Sequence, residues 1–217
     1  MRWRPTARFL CLVLVLPALI GSTATMDARS RRPGAVSRVR VWTYMTGPID
    51  AALRDRSTQV ANALLETAGV IVDWHPCDGP GACTRGNGTD PSVIVILMSA
   101  ARPTCGLTTF APDGRSATVL VSMPCVAGKR HELQLPQPVR LHPLLATLEV
   151  PHLLGAILAH EIGHVLGLKH ADTGLMRARL DVDDVIALRE GRLSFSPLEA
   201  TRMQASHLCV HDARQAP

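Results

Sequence analysis

The sequence predicts an α+β fold for a single domain over residues 39–217, and three patterns along the chain support that prediction. A strand, a helix and a second strand follow one another at the start of this range. A continuously apolar segment and a hairpin signature come next and add further strands. Helical patterns with capping signatures occupy the last third. The chain has 217 residues, and no internal repeat divides it, so one domain with an adequate core is expected.

The first three elements are predicted from hydrophobic periodicity. Residues 39–45 alternate and carry β-branched and aromatic side chains, which favours a strand. Residues 50–68 place apolar side chains near helical spacing, with Asp50 as the N-cap and Gly69 as the stop. Residues 70–75 are predicted to form the second strand, so the order is β, α, β.

The middle of the chain is predicted to consist of strands followed by a connection. Residues 93–98 are continuously apolar, which suits a strand buried on both faces. Residues 107–110 and 116–123 flank a Pro-Asp-Gly turn, so they are predicted to pair as a hairpin. The proline-rich segment 125–151 is predicted to be a long surface connection, with Pro151 in the first turn of the helix that follows.

Two helical patterns are predicted beyond that helix. A short one follows residues 181–184 and runs to Glu190. The C-terminal helix is predicted to run through Leu208, because Ser196 and Glu199 have the spacing of a capping box at its start.

The most specific pattern in the chain lies in the helix after Pro151 and reads HEIGHVLGLKH. His160 and His164 are four residues apart and therefore share one helix face. Gly167 has no Cβ and lies where the helix must stop, so that the chain can turn back toward His170. The sequence therefore predicts three imidazoles around one point.

This arrangement matches the ligand set of a catalytic zinc ion. Three imidazoles leave one tetrahedral position open, as catalytic zinc requires and structural zinc does not. Glu161 follows the first ligand directly, where its carboxylate can take a proton from a zinc-bound water without being a ligand. We expect one zinc ion held by His160, His164 and His170, with Glu161 as the catalytic base.

The motif resembles that of the metzincins, a group of zinc endopeptidases that share this long pattern and a methionine turn below the metal. Met176 is the candidate turn methionine, and its short distance in sequence from His170 is most similar to that of the matrixins. We expect Met176 to pack under the metal site without binding the ion.

The resemblance implies a metzincin-like α+β catalytic domain with a twisted, mainly parallel sheet, an antiparallel edge strand and two long helices behind the sheet. It also implies a small C-terminal subdomain with one helix. The upper subdomain would comprise residues 39–167 and the lower one residues 168–217. In metzincins the edge strand binds the substrate as an additional antiparallel strand, and residues 107–110 are the candidate in this chain.

Several residues depart from the matrixin pattern. Ala171 follows the third histidine, where matrixins usually carry serine. No histidine lies between Pro76 and Arg130, so the second, structural zinc of the matrixins is not expected. Residues 77–90 contain oxygen ligands and glycines that could hold Ca²⁺, as a corresponding matrixin loop does, but acidic residues are sparse there.

The resemblance implies hydrolysis of internal peptide bonds in protein or peptide substrates, by a zinc-bound water that Glu161 activates. One alternative is a secreted zinc-binding module of the same fold without peptidase activity, and the intact Glu161 weighs against it. A second is a gluzincin-type peptidase whose third ligand is a downstream glutamate such as Glu190 or Glu199. The spacing of His170 disfavours this second alternative.

The N-terminus indicates export. Residues 1–24 combine three arginines, a short apolar run and a small-residue stretch, which is typical of a cleaved signal peptide, and residues 25–38 form a short leader. The apolar run is too short to span a bilayer, so no stable membrane anchor is expected after cleavage. The expected location is secreted or extracellular, or periplasmic if the source is a Gram-negative bacterium.

The charge of the chain comes largely from this segment, because its removal lowers the formal net charge from +5 to +2. Only a short arginine cluster remains ahead of the fold, and aromatic residues are scarce. Nucleic-acid binding is therefore not expected. We also expect the protein to be a monomer.

Five cysteines remain after signal removal, and in an oxidising compartment an even subset of them should pair. Cys77 with Cys83 would close a glycine-rich loop, and Cys105 with Cys125 would tie the ends of the predicted hairpin. Cys209 would then be the odd thiol. Other pairings and a fully reduced set remain open at this level.

Overall fold

The computed structural model describes residues 37–79, 82–83, 92–112, 114–134, 142–206 and 208. Five strands lie in these ranges: β1 (Ser37–Thr46), β2 (Val70–Pro76), β3 (Ser92–Met98), β4 (Gly106–Phe110) and β5 (Ser116–Ser122). The helices are α1 (Ala51–Glu66), α2 (Met123–Gln134), α3 (Pro143–Ala146), α4 (Val150–Val165), α5 (Val182–Arg189) and α6 (Pro197–Gln204). The predicted signal peptide lies outside the described residues.

The strands and α1 begin and end within two residues of their predicted limits. Asp50 caps α1, since its side chain accepts a hydrogen bond from the backbone N–H of Ala52, and Gly69 has the positive φ of a helix stop. Strand β1 begins at Ser37, two residues before its predicted start and within the segment 25–38 that is predicted as a leader. Within the described part of the chain, no helix is long and apolar enough to cross a membrane.

The strands form one sheet in the order β2-β1-β3-β5-β4. The first three pairings in this order are parallel, and β4 pairs antiparallel with β5. The sheet is thus mostly parallel, and its antiparallel strand lies at one edge. That strand contains residues 107–110, the segment that the sequence predicts as an edge strand.

The two long helices, α1 and α4, pack against each other, and both contribute to the core beside the sheet. Leu65 of α1 and Leu158 of α4 belong to one buried cluster with Val95 and Val119 of the central strands. Gly155 lies where the two helices cross, and a Cβ there would be only 2.7 Å from the Ser57 carbonyl oxygen. The close approach that anchors α4 therefore requires glycine.

The prediction that β3 is buried on both faces is wrong. The strand's continuous apolar sequence predicts burial on both faces, but the burial alternates along the strand. Val93, Val95 and Leu97 are buried in the core, whereas Ile94 and Ile96 are half-buried on the opposite face. The described helices pack against the first face, so the second face remains partly open.

The prediction of a long surface connection between β5 and α4 is wrong for the described residues of that segment, 123–134 and 142–149. They form α2 and the short α3, which bury Val126, Leu133 and Leu145 in the core. Arg130 also donates from Nε to the Leu148 carbonyl oxygen at 2.9 Å. The clustered prolines suggest a loop. The fold nevertheless stabilises α2, because its buried apolar side chains lie on one face of the helix.

The described residues of the C-terminal part form two short helices, α5 and α6, where the fold predicted from the resemblance has one. The predicted capping box of Ser196 and Glu199 is present at the start of α6. This helix ends at Gln204, four residues before the predicted end at Leu208. Gln204 donates from its side chain to the Ala68 carbonyl oxygen at 2.7 Å, which ties the end of α6 to the end of α1.

Candidate metal centre

The three histidines of the motif lie together, with one ligand nitrogen from each within 4.8 Å of the others. His160 and His164 are on adjacent turns of α4, so the helix presents both to one side. His170 comes back toward them after Gly167, whose φ of 91° allows the chain to leave the helix and turn. The Nε2 atoms of His164 and His170 are 3.1 Å apart.

Backbone carbonyls orient the two helical imidazoles. Nδ1 of His160 lies 2.8 Å from the Leu175 carbonyl oxygen, and Nδ1 of His164 lies 2.9 Å from that of Leu168. A carbonyl oxygen only accepts, so each Nδ1 must carry the proton and donate it. With the proton on Nδ1, the lone pair of an unprotonated ring lies on Nε2, which is the tautomer that a metal ligand needs.

Burial favours the neutral form of His160. It lowers the pKa of this histidine to about 4, although the hydrogen bond with the Leu175 carbonyl opposes the shift. A neutral imidazole retains the lone pair that binds metal. Three imidazole nitrogens with room for a fourth ligand fit zinc, so the residues present are suited to that ion.

Glu161 points toward the same region from α4 and is almost fully buried, with 5% of its surface exposed. Burial raises the pKa of its carboxyl group, and a hydrogen bond from Thr108 partly opposes that shift. The hydroxyl of Thr108 donates to Oε2 of Glu161 at 2.6 Å. Glu161 is thus a buried carboxylate beside the histidines and is not a member of their cluster.

The turn that contains Met176 packs beneath the histidines. Met176 is fully buried, and its Sδ lies so close to Gly163 that a Cβ on that glycine would be 2.6 Å away. The backbone N–H of Ala171 donates to the Met176 carbonyl at 2.9 Å, which closes the turn directly after His170. The carbonyl of Leu175 reaches His160 from the same turn. The predicted packing role of Met176 thus agrees with its position in the fold.

A cavity of about 470 Å³ opens beside His160, Glu161 and His170. Apolar side chains from α2 and α4 line part of it, together with the Cys105–Cys125 disulfide. Arg177 and Arg179 also line this cavity. A larger and more open groove of about 710 Å³ lies at the β1–β2 edge, but it holds none of the motif residues.

The two arginines differ in their surroundings. Arg177 contacts the carboxylates of Asp181 and Asp184 at 2.5 and 2.9 Å, so its charge is engaged by the start of α5. Arg179 is exposed at the cavity wall. The pair therefore does not form a concentrated positive patch.

The downstream glutamates are engaged elsewhere. Glu190 pairs with Arg192, and Glu199 accepts a hydrogen bond from the Ser196 N–H at 2.7 Å. Across the described residues, the three histidines are the one group that could hold a metal ion. Neither glutamate is placed as a third ligand, and the described residues give no support to a calcium site.

Both predicted disulfides are present, Cys77–Cys83 and Cys105–Cys125. Cys209 and most of the loop considered for calcium lie outside the described residues. The Cys105–Cys125 bridge joins the residue before β4 to α2, directly beside the cavity.

Sequence reasoning missed the contacts that surround the motif. Thr108 is 53 residues away from Glu161 along the chain, and the carbonyls of Leu168 and Leu175 carry no side-chain signal. Only the prediction of an edge strand at residues 107–110 pointed toward this part of the site.

Comparisons with known proteins give limited similarity. No protein-family model and no curated protein matches the chain. Metalloproteinase-II from Bacteroides fragilis is a structural match with 14% identity and a TM-score of 0.48, over 78% of this chain and 53% of that one. Archaemetzincin from Methanopyrus kandleri matches with 18% identity and a TM-score of 0.42, over 80% of this chain and 96% of that one. The chain thus spans about half the length of the Bacteroides fragilis structure.

Proposed function

We propose that this chain is a secreted zinc-dependent endopeptidase of the metzincin type, related to the matrixins, that cleaves internal peptide bonds of protein or peptide substrates. The convergence of three metal-competent imidazoles beside a buried glutamate supports the proposal most directly. The motif H-E-x-x-H-x-x-G-x-x-H in the sequence supports it independently. We further propose that the enzyme acts as a monomer and does not bind nucleic acid.

In this proposal His160, His164 and His170 hold one zinc ion through their Nε2 atoms. Zinc, when bound, acidifies water and stabilises the negative charge that develops on a scissile carbonyl oxygen. The contacts with Leu175 and Leu168 hold two of the three imidazoles in the required tautomer and orientation.

Glu161 would accept the proton of the attacking water and then deliver it to the leaving amine. Its burial supports this role, because burial raises the pKa of the carboxyl group and brings proton release closer to neutral pH. Its position also supports the role, since the carboxylate lines the cavity together with His160 and His170.

Strand β4 would align the substrate. It pairs with β5 on one side, and it ends the described sheet on the other. An extended peptide can add to such an edge through backbone hydrogen bonds. Leu107 and Phe110 are 41% and 52% exposed on this strand and would contact substrate side chains.

The decisive experiment compares Glu161→Ala with the unaltered mature protein in a protease assay and measures bound zinc in both. We expect zinc content to be retained and kcat to fall by roughly a hundredfold to ten-thousandfold, the range that general acid–base catalysis supplies. Glu66→Ala is the matched control, because it makes the same substitution at a glutamate that is exposed at the end of α1.

The same assay separates the two candidate functions. Chelator-sensitive cleavage by the unaltered protein supports the peptidase. A protein that binds one zinc ion but cleaves no peptide would instead be the secreted zinc-binding module. The presence of Glu161 in the buried position beside the histidines favours the peptidase.

A further inference from the structure

Strand β4 lines the cavity, and its Thr108 side chain also contacts Glu161. The Oγ1 atom of Thr108 lies 2.6 Å from Oε2 of Glu161 and 3.3 Å from its backbone carbonyl oxygen. The hydroxyl carries one hydrogen, so it donates mainly to the nearer acceptor, Oε2, and the backbone carbonyl is a weaker second acceptor. Among the described residues, Thr108 is the side chain that donates to this carboxylate.

Gly106 allows the carboxylate to lie against the strand. A Cβ on Gly106 would collide with Oε1 of Glu161 and would lie 2.7 Å from its Cδ. The carboxylate therefore occupies the space that any other residue at position 106 would fill. One oxygen faces this bare backbone, and the other accepts the hydroxyl of Thr108.

The strand that carries these two residues is held firmly in place. Thr108 lies opposite Val119, and Gly106 lies opposite Val121, in the antiparallel pairing with β5. Just before the strand, the Cys105 carbonyl accepts from the Ser122 N–H at 2.9 Å, and the Cys105–Cys125 disulfide ties the chain to α2. The backbone from which the Thr108 side chain reaches Glu161 is thus held by its neighbours on both sides.

We propose that Thr108 is a positioning residue for Glu161. This role rests on the peptidase function proposed above. The hydroxyl of Thr108 donates to Oε2 and restrains rotation of the carboxylate, so that the base keeps one orientation beside the histidines. The substrate-aligning strand and the catalytic base are thereby linked through one side chain. A misplaced base costs turnover, because proton transfer requires hydrogen-bond distance.

A purely structural role for Thr108 predicts a different result. If the residue served only to shape the edge of the sheet, its replacement would weaken substrate docking and raise KM with kcat unchanged. A positioning role acts on the chemical step, so kcat falls while KM stays near its original value. The two roles are therefore separable by kinetics.

The test uses Thr108→Val, which keeps the shape and strand preference of the side chain but removes the hydroxyl. We expect kcat to fall roughly tenfold to a hundredfold at nearly constant KM. Thr108→Ser keeps the hydroxyl and should stay within about threefold of the original kcat. Thr118→Val is the control, since Thr118 is a half-buried threonine of β5 outside the site.

A second measurement does not depend on turnover. In the metal-free protein, loss of a hydrogen bond to a buried carboxylate should lower the Tm of Thr108→Val by roughly 3–8 °C. In a Glu161→Ala background the same substitution should lower the Tm by less than about 2 °C, because the carboxylate is gone. This double-mutant cycle measures the contact itself.

The outcomes separate the two proposals. If the unaltered protein cleaves no peptide, the peptidase function fails, whereas the double-mutant cycle still reports on the contact. If the unaltered protein is active but Thr108→Val keeps its kcat, the positioning role is wrong. A lower kcat that Thr108→Ser does not rescue, or equal Tm losses in both backgrounds, would also overturn it.

Discussion

The helical and the loop-borne histidines of the candidate metal centre are held in different ways. His160 and His164 project from a buried helix, and each imidazole donates to a backbone carbonyl. His170 is exposed and follows a turn that depends on Gly167. Helix geometry and the core thus position two candidate ligands, whereas the third depends on a short turn whose positive φ favours glycine.

The largest expected effect tests this difference by removing one ligand from each group. His160→Ala and His170→Ala should each weaken zinc binding by more than roughly a hundredfold, the upper end of what partners outside the ligand set contribute. Only His160→Ala should also destabilise the metal-free protein, by about 1–3 kcal/mol, because it leaves the Leu175 carbonyl without its donor.

Isothermal titration with zinc and urea unfolding of the metal-free variants measure these two quantities. Equal unfolding free energies for the two variants would remove the distinction between the helical and the loop-borne ligand. Retention of tight zinc binding in His170→Ala would revive a glutamate as the third ligand.

A smaller effect is expected from acid in the metal-free protein. The pKa of His160 is lowered from 6.5 to about 4 in the folded state, so the unfolded chain binds a proton there more readily. This contribution to stability is present above pH 6.5 and is lost as the pH falls from 6.5 toward 4. Its full size is at most about 3 kcal/mol.

Chemical denaturation of the metal-free protein at a series of pH values measures this loss. The same series with His160→Ala should show a flatter profile over that interval, because the buried imidazole is absent. An identical pH profile in the two proteins would show that His160 does not respond to acid as a buried group.

The smallest effect concerns the turn to the third ligand. Gly167→Ala should destabilise the protein by about 1–2 kcal/mol, because a side chain is strained at a φ of 91° although no atom lies within 4 Å of the added Cβ. Gly128→Ala in α2 is the matched control, since it too has open space but no positive φ. That change should be neutral or stabilising by up to about 1 kcal/mol.

Thermal unfolding and zinc titration of both glycine variants distinguish strain from crowding. Zinc affinity should fall in Gly167→Ala and stay unchanged in Gly128→Ala. If zinc affinity falls equally in both variants, or falls in neither, the turn does not control the position of His170.

Much of the fold follows from local patterns along the chain. The periodicity and capping signals around α1 predicted Asp50 as its N-cap, and Ser196 and Glu199 predicted the start of α6. These features depend on neighbours within a few residues. The continuous apolar run of β3 did not predict which face is open, because that depends on where the helices pack. The helix α2 was missed because prolines nearby suggested a loop, and its stability depends on the buried contacts of Val126 and Leu133.

The sequence by itself determined the candidate ligands and base, since the spacing of His160, Glu161 and His164 on a helix and the glycine before His170 are local geometric facts. Only the tertiary structure decided what surrounds them. The carbonyls of Leu168 and Leu175 select the tautomers of two candidate ligands, and Thr108 and Gly106 bring a distant strand against the carboxylate. Such contacts join parts of the chain that folding alone brings together, and backbone acceptors have no side-chain pattern that a sequence could reveal.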